Sequence, residues 1–124
     1  MAAYPLPLST LVVLFGHDPT VIGDRCETLR SGGYECVVTI TASEAEAYLS
    51  SKRADVLLVG SQTGPLTRLR LAEKAREHGV AVVHISYHNH PAAGEDEVYV
   101  MRPVGASELL QAMNRAVRQQ HKKR

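Results

Sequence analysis

The chain has 124 residues, which fits one domain spanning 1–124 and is long enough to bury a core without disulfides or metals. Hydrophobic residues make up 44% and charged residues 22%, and the formal net charge of +1 provides no whole-molecule field toward nucleic acid or membrane. No apolar run approaches a membrane span, and the prolines in Met1 to Leu8, with no basic segment beside them, make that stretch a poor signal peptide. The two cysteines, Cys26 and Cys36, fall in a predicted helix and a predicted strand, so buried free thiols and a cytoplasmic location are expected.

Leu11 to Phe15 is continuously apolar, as expected of a central parallel strand covered on both faces. Asp18-Pro19 then signals a helix, with Asp18 as N-cap and Pro19 at the first helical position. Val21, Ile22, Cys26 and Leu29 form its apolar stripe, and Gly32-Gly33 ends it. Cys36 to Ile40 is the second strand. Thr41 and Glu44 have capping-box spacing, with Ala45, Tyr48 and Leu49 expected on the inner face of the second helix.

Ala54 to Gly60 reads as the third strand, and Ser61 to Pro65 as a loop. A helix is predicted from about Leu66 to His78, stopping at Gly79. Val80 to Ile85 is the fourth strand, with His84 a packed core or near-core residue. Tyr87 to Gly94 is polar and weakly patterned, with at most one helical turn. Glu97 to Met101 is the fifth strand. The final helix runs from about Ala106 to Gln119, with Leu109, Leu110, Met113, Ala116 and Val117 inward. Strands alternating with helices predict an α/β fold with a parallel sheet covered on both faces. Right-handed crossovers and the element lengths fit a flavodoxin-like, doubly wound sheet of order 2-1-3-4-5.

Several local matches, in order, make the chain resemble a response-regulator receiver domain. They are Val12 to Pro19, Gly33 to Val38, Ser43 to Ala47, Asp55 to Gly60, and Arg102-Pro103-Val104 followed by Glu108-Leu109-Leu110. The resemblance implies a signalling fold and a cis Arg102-Pro103 bond. It also implies a phosphate pocket of three carboxylates that hold magnesium and accept a phosphoryl group. Here the matching positions are Gly16 and His17, or His17 and Asp18 with the register slid by one, for the acid pair. Gly60 stands at the acceptor, Ser86 at the hydroxyl closing the fourth strand, and Arg102 at the lysine. Glycine cannot accept phosphate, and magnesium wants hard oxygen ligands in near-octahedral array. The pocket is therefore degenerate. The stretch from Ser86 to Arg102 leaves room only for a shortened or irregular version of the family's fourth helix.

The reading is an atypical, phosphorylation-independent receiver that acts in signal transduction through protein contacts and is not an enzyme. No cofactor, metal or catalytic residue is expected. The candidate interaction surface is Tyr87, His88, Asn89, His90 and Tyr99, with the exposed side of the final helix. The partner is a protein of unspecified identity, a second copy of the chain included; membrane and nucleic acid are not expected as partners. The alternative is a small-molecule or metal-binding flavodoxin-like domain. Its candidate site, lined by His17, Asp18, His88 and His90, lies at the sheet's C-terminal edge. A cobalamin-binding pattern is similar around Gly16-His17-Asp18 but fails at Phe15 and Thr20. Ser61, Thr63 and Ser86 lack a nucleophile elbow, and Gly60 to Gly64 lacks a phosphate-loop pattern. The basic tail, Arg115, Arg118 and Lys122 to Arg124, complements the dipole of the last helix.

Overall fold

The computed structural model describes residues 10–51, 53–86, 97–101 and 105–122. Its strands are β1 (Leu11–Phe15), β2 (Glu35–Thr39), β3 (Val56–Val59), β4 (Ala81–Ser86) and β5 (Val98–Met101). Among the described residues the helices are α1 (Pro19–Ser31), α2 (Ala42–Ser50), α3 (Pro65–Glu77) and α4 (Ala106–Lys122). The strands form one parallel sheet of order β2-β1-β3-β4-β5, as the alternation predicts. Most boundaries move by a residue or two from the expected ones, which is ordinary fraying, and α4 runs three residues further, to Lys122. The stretch expected to hold a shortened helix between β4 and β5 lies outside the described residues, as does the Arg102-Pro103 bond.

The period of two along each strand divides the core into two layers. Val12, Leu14, Leu58, Val83 and Ile85 face Ile22, Cys26 and Leu29 of α1 and Leu109, Met113 and Ala116 of α4. Val13, Phe15, Leu57, Val59 and Val82 face Ala45 and Leu49 of α2 and Leu71 and Ala75 of α3. β1, β3 and β4 are covered on both sides, hence the unbroken apolar runs of β1 and β3; β4 is buried throughout as well, with His84 and Ser86 as its polar residues.

The expected punctuation is present. Asp18 Oδ1 accepts from the Thr20 and Val21 amides at 3.0 and 3.4 Å, with Pro19 opening α1. Thr41 Oγ1 accepts from the Glu44 amide at 3.1 Å, and Glu44 reaches back toward the Ile40 amide at 3.4 Å. α1 and α3 close alike. The Tyr34 amide donates to Leu29 O and the Val80 amide to Ala75 O, across Gly33 (φ +92°) and Gly79 (φ +69°), which hold the left-handed conformation a side chain resists. Asp55, matched by the resemblance to the acid that opens strand three, has a structural job. Its Oδ2 accepts from the Leu11 amide at 2.8 Å and ties β3 to the start of β1.

One core assignment needs correction. Tyr48 is 40% exposed rather than on the inner face of α2. β2 is the outer strand, so the sheet ends before it can cover the ring, and Tyr48 instead lines a groove of about 720 Å³ beside β2.

Candidate functional site

The C-terminal edge of a parallel sheet gathers the loops that leave its strands, and the switch point lies between β1 and β3. Gly16 follows β1 and Gly60 follows β3; the Gly60 amide donates to Phe15 O at 2.9 Å. Between them lies a cleft enclosing about 20 Å³ and lined by Gly16, His17, Asp18, Arg25, Gly60 and Ser61 among others. That volume admits about one water.

The structure places Gly16, His17, Asp18 and Gly60 around this one cleft. Asp18 is the one carboxylate among the described residues of the cleft lining, and it is engaged in capping α1. His17 is exposed and sets its ring edge-on to Phe15, with centroids 5.2 Å apart. Arg25, a cation, faces Gly60: a Cβ built there would lie 3.7 Å from Arg25 Nη1 and 3.2 Å from Phe15 O. One committed carboxylate, a histidine and a guanidinium do not make an oxygen-rich divalent-cation site. The residues present do not fit magnesium. Ser86 ends β4 and is buried. Arg102, Tyr87, His88, Asn89 and His90 lie outside the described residues. Among the described residues no three His, Cys, Asp or Glu side chains converge on a point that could hold a metal.

Sequence reasoning missed a partly buried polar network at this edge. Arg68 leaves α3 and turns its guanidinium into the end of the sheet. Nη2 donates to Gly60 O at 2.7 Å and to Ile85 O at 3.1 Å, and Nη1 lies 2.9 Å from His84 Nδ1. His84 is 1% exposed, so its core placement is correct. A guanidinium can only donate, so Nδ1 of His84 must accept and its proton sits on Nε2. Nε2 donates to Glu97 Oε1, and Glu97 Oε2 accepts from Arg76 Nη1 at 2.7 Å. A relay of polar contacts thus runs Arg76–Glu97–His84–Arg68–Gly60. Burial lowers the proton affinity of Arg68 from its ordinary value, while the nearby Tyr99 works the other way; guanidinium is basic enough to stay charged.

Tyr99 is half-buried, with its ring stacked on His84 at 4.4 Å and 13°. Burial first, then Glu97, raises its phenol from the ordinary value. One face of this candidate contact residue is therefore spent inside the fold. It also borders a groove of about 490 Å³ beside α4, with Glu108, Arg115 and Arg118.

Comparison with known proteins places the fold. A response regulator receiver protein from Sinorhizobium medicae superposes with a TM-score of 0.78 at 19% identity, covering 91% of this chain and 98% of its own. A receiver domain protein from Clostridium thermocellum gives 0.79 at 16%, covering 93% and 99%. A CheY-like receiver from Methanospirillum hungatei gives 0.78 at 19%, covering 94% and 99%. The architecture is that of response-regulator receiver domains. No protein-family model matches the chain. No curated protein matches it by sequence.

Proposed function

We propose that this chain is a phosphorylation-independent, receiver-like domain that serves signal transduction through contact with a protein partner. The observation that carries this reading is the end of β3. The residue there is Gly60, and its carbonyl is held by a permanent cation, Arg68. The carboxylates that a phosphoryl-transfer pocket needs are replaced by Gly16, His17 and Gly60, and Asp18 is committed to its helix. The chain is not an enzyme in this reading. Its place is the cytoplasm, and among the described residues no helix is long and apolar enough to cross a membrane. The contact surface comprises Tyr87, His88, Asn89 and His90 with Tyr99 and the groove along α4. Arg115 and Arg118 there favour a partner that presents carboxylates. No described residue favours the metal- or cobalamin-binding alternative: His17 packs on Phe15 and Asp18 caps α1.

Incubation with acetyl phosphate and magnesium is the direct test. The intact mass should stay unchanged for the native chain and for Gly60→Asp. An aspartate at 60 meets Phe15 O at its Cβ and Arg25 close by, and it still lacks the acid pair. A stable phosphoryl adduct on a carboxylate of the native chain would sink the reading. The contact surface is tested separately by partner capture. Replacing Tyr99 and His88 with alanine should weaken capture at least about tenfold, as expected for aromatic contact residues, with the circular-dichroism spectrum retained. Loss of capture on changing His17 or Asp18 instead would move the function to the old pocket.

A further inference from the structure

We propose that Cys26 and Cys36 are a redox site: the two thiols close into a reversible intramolecular disulfide that ties α1 to β2. Their Sγ atoms lie 2.7 Å apart, although both are free thiols here. A covalent S–S bond is ~2.05 Å, so closure needs an approach of only roughly 0.7 Å. The two elements are already packed: Cys26 is buried in the α1 layer of the core, and Cys36 packs against that layer from β2. The geometry is therefore held by the core and does not depend on a chance encounter of surface side chains.

The two thiols differ in access. Cys26 is 5% exposed, on the buried face of α1. Cys36 is half-buried on the sheet's outer strand and forms part of the wall of the 720 Å³ groove, beside Arg30, Tyr34 and Tyr48. An external oxidant reaches Cys36 first, and Cys26 is the resolving thiol behind it. Because no third ligating group joins them among the described residues, the pair's chemistry is redox and not metal binding.

A small-molecule disulfide is the oxidant class that suits this arrangement. The Cys36 thiolate attacks one sulfur of R–S–S–R, that S–S bond breaks, and RS⁻ leaves. Cys26, losing its proton, attacks the Cys36 sulfur of the mixed disulfide and expels the second RS⁻. Two protons from the cysteines end on two RSH, and two electrons pass from the pair to the oxidant. Burial first, then the neighbouring Cys26, push the Cys36 thiol up to about 12, with Arg30 pulling weakly the other way. Little thiolate exists at neutral pH, so the site closes slowly and responds to a sustained oxidising poise rather than to a brief pulse. Such reversible closure is the form disulfides take in reducing compartments. Closure would also anchor α1 at the turn next to Arg25, which faces Gly60.

The experiment uses the full chain with excess oxidised glutathione at pH 7, 8 and 9. The expected product is monomeric, about 2 Da lighter, and protected from iodoacetamide at both cysteines, with dithiothreitol restoring the starting mass. The rate should rise about tenfold per pH unit, following the thiolate fraction. Thermal unfolding should shift up by at least about 5 °C on closure. Cys26→Ser should instead retain a glutathione adduct on Cys36. A lasting glutathione adduct on the native chain, a disulfide-linked dimer, or a native pair that reacts only after unfolding would each overturn the proposal. The native-chain measurement stands even where the serine variant fails to fold.

Discussion

Arg68→Ala is expected to lower the unfolding free energy by about 2–4 kcal/mol, seen as a reduced urea midpoint with an unchanged denaturant slope. The substitution removes donors from Gly60 O, Ile85 O and His84 Nδ1 together. A hydrogen bond from a charged donor contributes more than a neutral one, and acceptors left in a partly buried site carry their desolvation cost alone. Lysine at 68 should recover less than half of the loss, because one ammonium cannot reproduce a planar fork that spans two strand ends. A cost below about 1 kcal/mol would mean that water replaces the guanidinium freely and that Arg68 is a surface residue. The same variant bears on function. If the cation at Gly60 holds this edge in one arrangement, partner capture should fall along with stability.

Glu97→Ala should cost a similar ~2–4 kcal/mol. The Glu97 side chain is 6% exposed and joins His84, itself 2% exposed, to Arg76, which is 44% exposed. Removing it takes the acceptor from His84 Nε2–H deep beside β5 and releases Arg76 to solvent. The inner contact accounts for nearly all of the loss, because exposed ion pairs contribute little. Arg76→Ala alone should therefore cost under about 1 kcal/mol. The Arg68→Ala, Glu97→Ala double variant should lose at least about 1 kcal/mol less than the sum of the two, since both act through His84. Strict additivity would show that the relay is a set of independent contacts.

Much of this protein is legible in the sequence because it is written in local periodicity. The apolar runs at Leu11 to Phe15 and Val56 to Val59 read, by their shortness, as strands covered on both faces, and Asp18-Pro19, Thr41-x-x-Glu44 and the glycines at 33 and 79 mark helix ends by short-range chemistry. That a glycine and not a carboxylate follows the third strand needs only the identity of residue 60. Tyr48 was misplaced because helical periodicity tells which residues share a face, not where the sheet beneath that face stops.

The polar relay is invisible to the same reasoning. Arg68 sits among Arg70, Lys74 and Arg76 in α3, a pattern that reads as a solvated face. Two residues along a helix turn a side chain through about 200°. Arg70 therefore goes out to Glu46 on α2, while Arg68 goes in to the strand ends. Its partner His84 comes from β4, and Glu97, the next member of the relay, from the approach to β5; no local signal links the three. The cysteines carry the same lesson: helix and strand placement suggested two buried thiols, and only the packing of α1 on the outer strand puts their sulfurs 2.7 Å apart. By itself, then, the sequence determined the order of elements, the helix caps, the sheet topology and that a glycine, Gly60, follows β3, because each follows from spacing along the chain. Tertiary structure alone decided which charges are buried, what holds the Gly60 carbonyl and which thiols meet, because those depend on distances between residues that the chain separates and the core brings together.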